Sequence, residues 1–497
     1  MNKVLKSFPA ILSLTFLIQL FGLLRSIFLS KNLGASTELD AFYLANILTI
    51  SIFSIITSAI STVLIPNMIS EKEKNKGSIN YLSIIMGIAL VFSLFFLLFL
   101  FLFIDRINPN FNDETQKNFF IMFILLLVSQ FFRIISTYFM SKLQIHGKYF
   151  MSRFPNILPA FLPLIYIFFS NNFNMIVFVF LLALSYLLES QMYFLLGKFK
   201  LKKFMFKDFF SIQKKDSSSR KMLKNTLPIL AGSTIFQLQI IITNYLAGYF
   251  GDGYITLLSN TNQIVGIFQG LLVANIFTLV YPHMVKLIKE NIMNGLKQVE
   301  TYILITNFIV IILVWGYIAI GLDLVKVLFY RGNFTLENSN TVYNFGLVLM
   351  LSLPFAVIRD YFYRIYYAID NTSKPTKNSI ITVIWNICLL FILKIFIQEY
   401  SLVVSTAIGT IFSLTNISIQ MKNDNLLLNW KRLFKGFLFT NMIASLMFVG
   451  IRLFGINSKN SLNNILINIP IGILIVLISL LIIFVLFRKK INIKEIF

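Results

Sequence analysis

Apolar stretches of about 20 residues recur from one end of this 497-residue sequence to the other, and no other feature constrains the fold as much. An α-helix of that length spans the hydrocarbon core of a bilayer, because each residue adds about 1.5 Å. Hydrophobic residues make up 57% of the chain and charged residues 13%, roughly half the charged share of a soluble domain. The sequence therefore predicts an all-α polytopic membrane protein. It excludes soluble enzymes, nucleic-acid-binding proteins and secreted disulfide-rich proteins.

The apolar stretches predict about fourteen transmembrane spans, counted with a window of about 20 residues. Because fourteen is an even number, both termini are expected on the same side of the membrane. The approximate bounds of the spans are 7–30, 40–68, 80–105, 117–140, 150–170, 174–198, 221–250, 254–285, 298–321, 340–369, 375–398, 401–421, 433–451 and 465–487.

The basic residues indicate which side carries the termini. If the N-terminus is cytoplasmic, the loops and tails on that side hold 31 of the 43 Lys and Arg residues, and the opposite loops hold seven. This asymmetry predicts N-in and C-in topology by the positive-inside rule. It also accounts for the net charge of +23 without a nucleic-acid partner. No small-residue cleavage site follows the first span, so we expect a retained helix and not a signal peptide.

The longest polar break, 198–224, is rich in lysine and divides the spans into six plus eight. We therefore predict an N-terminal six-helix lobe over 1–200, a basic cytoplasmic linker over 201–220, a C-terminal six-helix lobe over 221–422, and two additional helices with a basic tail over 423–497. The linker is either a topology anchor or an amphipathic helix that rests on anionic headgroups.

A short internal repeat supports the two lobes. STVLIPNMI at 61–69 aligns with FTLVYPHMV at 277–285, and each segment ends the second helix of its half. Each of these second helices follows a Gly-bearing turn, NLGAS at 32–36 and FGDG at 250–253. Six spans per half preserve chain direction, so we expect a parallel repeat about an axis along the membrane normal.

Polar residues recur at helical spacing in equivalent helices. The second span carries a serine stripe that includes Ser54 and Ser58, and the eighth carries Asn262 and Gln263. The facing seventh span adds Gln237 and Asn244. One interpretation is a shared polar cavity, since amides are costly against lipid. The other, open above all for the serines, is close helix packing through small residues.

Charged residues within the spans are the sharper markers, because each is costly unless it is paired or hydrated. Arg25, near the outer end of the first span, could bind a diphosphate through its planar fork, or it could form a salt bridge with Asp40 across the following turn. Arg133 and Arg359 lie toward cytoplasmic ends, where they either line a cavity or snorkel to the surface. Glu189, late in the sixth span, has no partner evident from the sequence.

Metal, redox and covalent chemistry have little support in the sequence. The single cysteine, Cys388, lies in an apolar run, and the two histidines, His146 and His283, are far apart. We expect no cofactor, no metal site and no disulfide. A membrane enzyme of polysaccharide assembly is disfavoured because only one histidine, His283, falls within the spans, and it lies at the end of the eighth. A transporter of small drugs or ions is a further alternative, separated only weakly by sequence.

The residues at 21–66 resemble the start of the MurJ/MviN family, the lipid II flippases of the multidrug/oligosaccharidyl-lipid/polysaccharide exporter superfamily. The matching features are G-x-x-R ending at Arg25, L-G-A-S at 33–36 and D-A-F-x-x-A beginning at Asp40. FYRGNFTLENS at 329–339 and YYAIDNTSKPTKNSI at 366–380 are similar to outer and inner turns of the same family.

This resemblance implies two six-helix lobes around a central cavity that opens alternately to each side, with two further helices forming a groove for a lipid tail. It implies that the substrate is an undecaprenyl-diphosphate-linked saccharide, above all lipid II, moved from the inner to the outer leaflet of the bacterial cytoplasmic membrane. The family's cavity arginine falls on Arg25 and its acidic residue on Asp40. We expect a monomer whose partners are this lipid-linked saccharide and membrane lipids.

The sequence departs from the resembled family at three arginine positions, which here hold Gln19, Phe53 and Gln263. A cavity with fewer cations relies more on amides, which bind sugar hydroxyls. We therefore expect recognition to depend strongly on the sugars. Exporters of O-antigen, capsule or teichoic-type units are the alternative within the same fold. The family's sodium site does not transfer, because the seventh span has no matching aspartate.

Overall fold

The structure is a computed structural model that describes residues 2–70, 75–102, 108–170, 172–196, 217–270 and 274–487. The predicted basic linker, 201–220, lies largely outside these residues. Thr62, Pro66 and Thr278, which belong to the proposed internal repeat, have side chains outside them as well. The predicted domain boundaries and the repeat stay predictions.

The described residues form fifteen α-helices, which confirms the predicted all-α class. Each predicted span coincides with a helix, except that the eighth corresponds to two. The helices are α1 (Asn2–Leu33), α2 (Thr37–Ser70), α3 (Asn75–Leu102), α4 (Asp113–Ile145), α5 (Ile157–Phe169), α6 (Met175–Leu196), α7 (Ser217–Ala247), α8 (Tyr254–Phe268), α9 (Ala274–Glu290), α10 (Ile292–Phe329), α11 (Leu336–Ala368), α12 (Ser373–Ile397), α13 (Ser401–Asn423), α14 (Trp430–Phe454) and α15 (Ser461–Phe487).

Short polar residues begin several of the helices. Asn112, Asn291, Thr335 and Asn429 are the N-caps of α4, α10, α11 and α14, and each side chain accepts a hydrogen bond from a backbone N–H of the first turn. These N–H groups have no partner within their own helix, so each capping oxygen satisfies one of them. The caps therefore define helix starts that the hydropathy pattern alone leaves uncertain.

Ten stretches of the described residues are long and apolar enough to cross a membrane, and one of them, Ser373–Asn423, contains both α12 and α13. The protein is thus a multi-pass membrane protein. The count of fourteen spans stays a prediction.

The chain divides into two compact units, Met1–Ser259 and Asn260–Phe497. In the first unit α2 is the central helix, in contact with α4 and α7. Of the residues in its apolar part 72% are buried, compared with 28% for α1 and for α3. The helix α6 packs against both α4 and α5, and α1 packs against α5.

In the second unit α10 and α11 pack together, and α11 also contacts α13. Buried polar contacts connect the helices: the Thr306 and Tyr361 hydroxyls are 2.7 Å apart, and Asn378 Nδ2 donates to Ser413 Oγ at 2.9 Å. The helix α14 is attached to α10 by a hydrogen bond from Trp315 Nε1 to Asn441 Oδ1 at 3.0 Å. Each of these bonds satisfies a polar group that would otherwise be costly in a lipid environment.

Asp424, directly after α13, joins three helix ends in the second unit. It accepts hydrogen bonds from Lys374 at the start of α12 and from the Tyr366 hydroxyl near the end of α11, the latter at 2.7 Å. These bonds favour the ionised carboxylate, so they hold the pKa of Asp424 below its ordinary value of 3.8. The stabilisation is therefore complete above about pH 4 and is lost as the pH falls through the folded-state pKa.

We expect Asp424→Asn to lower the unfolding temperature at pH 7 by up to about 2 °C, because this pair is partly exposed and worth about 1 kcal/mol or less. The difference from wild type should start to shrink as the pH falls below about 4 and should disappear once the pH is well below the folded-state pKa of Asp424, where both side chains are neutral. The unfolding temperature of both proteins, measured in detergent from pH 7 down to acid pH, shows this difference. Asp370→Asn is the control, since the Asp370 side chain is 82% exposed and pairs with the exposed Lys289 at 3.4 Å. A difference that persists in acid would contradict the assignment.

Candidate functional site

Two adjoining polar cavities, of about 210 and about 330 Å³, lie within the first unit. Both are lined by Arg133 of α4, by Asn156 just before α5 and by Glu189 of α6. The smaller one also reaches Arg25 of α1, and the larger one reaches Arg153. We call them together the arginine cavity. Its lining holds three arginines against one carboxylate, so it carries net positive charge.

Hydrogen bonds between uncharged groups fix the walls of the arginine cavity. Ser136 Oγ of α4 and Ser190 Oγ of α6 are 2.7 Å apart and both buried. The hydroxyl of Tyr193 lies 2.5 Å from Asn156 Oδ1 and 2.7 Å from the Ser152 carbonyl oxygen. These contacts attach α6 to α4 on one side and to the turn before α5 on the other. The charged residues of the cavity are therefore presented by a rigid frame.

Arg25 is positioned by a break in the hydrogen bonding of α5. Pro163 lies inside α5 and has no backbone N–H, so the carbonyl of Pro159 one turn earlier lacks its helical donor. Arg25 Nη1 donates to that carbonyl oxygen at 3.5 Å. The rest of the guanidinium lines the cavity. The sequence prediction that Arg25 faces a cavity agrees with this placement, whereas its role toward a substrate stays a prediction.

Arg133 meets Glu189, the acid for which the sequence showed no partner. The Arg133 Nε and Glu189 Oε2 atoms are 4.0 Å apart. The same guanidinium donates from Nη1 to Gln130 Oε1 at 2.9 Å and lies over the Tyr186 ring, 4.8 Å from its centroid. Arg133 therefore faces the cavity and does not snorkel to the surface.

Asp40 corrects the expected salt bridge. Asp40 is 1% exposed and forms no ion pair with Arg25. Its carboxylate accepts hydrogen bonds from Gly253 N at 2.8 Å, from Thr256 N at 2.7 Å and from Thr256 Oγ1 at 2.6 Å. Asp40 thus caps the N-terminus of α8, where unpaired N–H groups and the helix dipole favour a carboxylate. Asp40 does not pair with Arg25 because these backbone and hydroxyl donors already surround its carboxylate.

The two glycine-bearing turns noted in the sequence touch each other at this place. Gly253 has a φ of +86°, and a Cβ added there would lie 2.6 Å from the Ala35 carbonyl oxygen. A side chain at position 253 would therefore separate the turn at 32–36 from the turn at 250–253.

The remaining predicted site residues are distributed over both units. Ser54 and Ser58 line the arginine cavity. The predicted cavity shared with the eighth span stays a prediction. Gln237 and Asn244 lie on α7 and are not part of that cavity's lining. Asn262 and Gln263 lie on α8 within the second unit.

Arg359 lies on α11 of the second unit. Its Nε and Nη2 atoms donate to Asp360 Oδ1 at 3.0 and 2.8 Å, and its guanidinium lies 5.7 Å from the Tyr363 ring centroid. In this structure the charge of Arg359 is therefore balanced by its neighbour in the sequence.

Sequence reasoning missed Arg153, Asn156 and Tyr193. Arg153 stands at the start of the fifth span, where a basic residue is expected from topology alone. Asn156 is a single polar residue beside Pro155. Tyr193 continues a polar stripe of the sixth span, since Tyr186 and Glu189 precede it at helical spacing. The signal that could have found Arg153 is the S-R-F-P-N sequence at 152–156, because a proline turn there points the preceding residues away from a regular helix.

A second cavity, of about 410 Å³ and almost entirely apolar, lies within the second unit. Residues of α10, α11, α13 and α14 line it, among them Val314, Phe355, Ile411 and Phe437. The resemblance implies a lipid-tail groove formed by the two additional helices, here α14 and α15. The observed lining contains residues of α14 and none of α15.

Comparison with known proteins decides the family. The family model of "Lipid II flippase MurJ" matches residues 29–475, most of the chain. The chain belongs to the MurJ lipid II flippase family. Proteins named "Probable lipid II flippase MurJ" match it from Buchnera aphidicola with 24% identity, over 82% of this chain and 81% of the relative, and from Aquifex aeolicus with 24% identity, over 74% and 73%. A relative of the same name from Rickettsia prowazekii is 23% identical over 40% of this chain and 39% of its own length.

Solved structures show the same MurJ fold. A "Lipid II flippase MurJ, inward closed conformation" superposes with a TM-score of 0.80 at 19% identity, over 97% of this chain and 99% of that one. An inward-facing multidrug resistance MATE family transporter of the MOP superfamily gives 0.64 at 14% identity, over 86% and 94%. The higher score for the MurJ structure agrees with the family assignment.

We expect Asp40→Ala to lower the free energy of unfolding by about 2 to 4 kcal/mol, because it leaves two backbone N–H groups and one hydroxyl without an acceptor in a buried place. Thermal unfolding of the purified protein measures this loss. Asp252→Ala is the matched control: Asp252 lies on the same turn but is exposed, so its loss should change little. Equal stability of the two variants would contradict the capping role.

Proposed function

We propose that this protein flips lipid II, an undecaprenyl-diphosphate-linked saccharide, from the inner to the outer leaflet of a bacterial cytoplasmic membrane by alternating access. The observation that carries this proposal is a net positive, hydroxyl-lined cavity within the apolar first unit of a chain of the MurJ family. Its termini face the cytoplasm, as the basic residues predict.

The physical task explains why such a protein needs no catalytic chemistry. A diphosphate with attached sugars cannot cross about 30 Å of hydrocarbon unaided, whereas the prenyl tail is soluble there. The protein has to supply a polar passage for the head while the tail stays in the lipid or in an apolar groove. Opening the passage first to one side and then to the other requires helices to rock against each other.

The cavity chemistry fits the diphosphate. Arg25 and Arg133 present planar guanidinium groups to the smaller cavity, and Arg153 presents a third to the larger. A guanidinium binds a phosphate through two parallel N–H···O bonds, which an ammonium cannot do. We therefore assign binding of the diphosphate to Arg25, Arg133 and Arg153.

The saccharide and the tail are assigned to other groups. Ser54 and Ser58, next to Arg133 in the larger cavity, offer hydroxyls for the saccharide. In other stages of transport, sugar hydroxyls are bound by four amide side chains, those of Gln237, Asn244, Asn262 and Gln263. Arg359 binds the diphosphate in another conformational state. The apolar cavity of the second unit is assigned to part of the prenyl tail, since Val314, Ile411 and Phe437 line it.

A second candidate function is the export of another lipid-linked oligosaccharide, such as an O-antigen, capsule or teichoic-type unit. The observation in its favour is that Gln19, Phe53 and Gln263 stand where the resembled family has arginines. Phe53 is 1% exposed, so this position adds packing to the first unit and no polar group to a cavity. An amide-rich passage favours substrates recognised through their sugars.

We expect reconstituted wild-type protein to move labelled lipid II across the vesicle bilayer and Arg25→Ala to slow this by more than about tenfold, because the diphosphate loses a bidentate partner. Arg25→Lys should restore part of the rate. Protection of the labelled head from a membrane-impermeant reagent measures flipping. Arg452→Ala is the control, since Arg452 is exposed near the end of α14 and lies over Phe448.

Running an undecaprenyl-diphosphate oligosaccharide in parallel separates the two candidate functions. Flipping of the oligosaccharide but not of lipid II would replace the first candidate by the second. Flipping of neither would overturn both. Growth of a host depleted of its own lipid II flippase tests the same point in cells.

We expect a cysteine at position 54 to react with small water-soluble thiol reagents, because Ser54 lines a polar cavity. The test uses a Cys388→Ser background, since Cys388 is exposed. A cysteine at Ser185 is the matched control: Ser185 is 0% exposed on α6 and bonds to the Leu182 carbonyl. Reaction at position 54 should be at least about tenfold faster than at position 185. Equal inertness would place the serine stripe in helix packing.

A further inference from the structure

Glu189 is the one carboxylate among the residues that line the arginine cavity, and the proposed function gives it no task. It is 4% exposed, on a helix with no other acidic residue. A buried carboxylate in an apolar helix is costly, so its presence in a site that has to attract an anion calls for a physical reason.

In the Arg133–Glu189 pair the carboxylate is held less firmly than the guanidinium. Arg133 Nε and Glu189 Oε2 are 4.0 Å apart, beyond hydrogen-bond distance, and Oε2 has no hydrogen-bond donor among the described residues. The arginine, in contrast, is held without Glu189, through Gln130 Oε1 and the face of Tyr186. Removing Glu189 from the pair would therefore leave Arg133 in place.

A second buried glutamate in the chain shows what a fixed ion pair looks like. Glu300 forms an ion pair with Arg432. The Glu300 and Arg432 side chains are 5% and 42% exposed, and those of Glu189 and Arg133 are 5% and 35% exposed, so the two pairs are similarly buried. Both oxygens of Glu300 are engaged: Oε1 accepts from Asn429 N at 2.6 Å, and Oε2 lies 3.4 Å from Arg432 Nη1. Glu300 thus fastens the start of α14 to α10, whereas Glu189 fastens nothing.

We propose that Glu189 is a resident counter-ion: it neutralises Arg133 while the arginine cavity is empty, and the diphosphate of the lipid-linked substrate displaces it. This rests on the proposed function and names the residue that sets how tightly its site holds the diphosphate. Without a counter-ion, Arg133 would be a half-buried, unbalanced charge, and its attraction for a diphosphate would be stronger.

The exchange has a consequence for transport. A transporter has to release its substrate on the far side, and a site of three unbalanced arginines would retain a diphosphate. Because Glu189 competes for Arg133, each departing phosphate is replaced by a carboxylate already in the cavity. The counter-ion lowers the affinity for the diphosphate and speeds its release, so binding and turnover should change in opposite directions when Glu189 is neutralised.

The test measures binding of undecaprenyl diphosphate to the purified full-length protein in mixed micelles, together with flipping of labelled lipid II in vesicles. We expect Glu189→Gln to lower the Kd about tenfold, since it removes one competing charge at Arg133, and to slow flipping. Glu189→Asp, which keeps the charge, should stay near the wild-type Kd. Glu300→Gln is the matched control and should leave the Kd unchanged, although it removes a buried, arginine-paired carboxylate of the same type.

The direction of the change makes the result decisive even if a variant is less stable. Damage to the fold weakens binding, so a lower Kd in Glu189→Gln cannot come from misfolding. In an Arg133→Gln background the gain from Glu189→Gln should disappear. A gain of the same size there, or an unchanged or higher Kd in Glu189→Gln alone, would overturn the counter-ion role.

The wild-type protein separates this inference from the proposed function. If wild type binds undecaprenyl diphosphate and flips lipid II but Glu189→Gln does not bind more tightly, the inference falls and the function stands. If wild type neither binds this lipid nor flips lipid II, both fall.

Discussion

Inside a bilayer no water is available to the backbone, so every N–H and C=O group has to be satisfied within the protein, and the rest of this structure follows from that constraint. It makes the described chain helical, and it directs most hydroxyl side chains back to their own helix, as Ser54 does toward the Ser51 carbonyl at 2.9 Å. The same rule explains the exception at α5. Pro163 withdraws a donor from the Pro159 carbonyl, and Arg25 supplies one in its place. A defect in the backbone hydrogen bonding thus positions a charged residue of the candidate site.

The charges of the first unit are stabilised by a frame of uncharged contacts. Ser136 with Ser190, and Tyr193 with Asn156, hold α4, α6 and the turn before α5 together without using any ionised group. Arg133 and Glu189 are consequently not required to bind the helices to each other, and they can face a cavity. In the second unit the opposite holds for Glu300, whose two oxygens are both used to attach α14 to α10. Two pairs of similar burial therefore have different roles, and hydrogen-bond satisfaction distinguishes them where exposure does not.

The two units also differ in the chemistry of their cavities. The first encloses arginines and hydroxyls, and the second encloses an almost wholly apolar space lined by α10, α11, α13 and α14. A substrate with a doubly charged, sugar-bearing head and a long prenyl tail needs both environments. Among the described residues, no group of three or more acids, histidines or cysteines could hold a metal ion. What the cavities offer is differential solvation of the two ends of one lipid, which is the physical basis of flipping.

The sequence by itself determined the membrane class, the helix at each predicted span and the family resemblance, because hydropathy and helical period are local properties that survive any arrangement of the helices. It also singled out Arg25, Ser54, Ser58 and Arg133, since each stands out against its own helix, but it left open whether they line a cavity. Only the tertiary structure decided which charges meet. A salt bridge with Arg25 was one of the alternatives for Asp40, which instead caps α8, and Glu189 was left without a partner but faces Arg133. Such pairings depend on how helices distant in the sequence are rotated about their axes. A single sequence shows which residues share a face of one helix, but it does not show which face of another helix they contact.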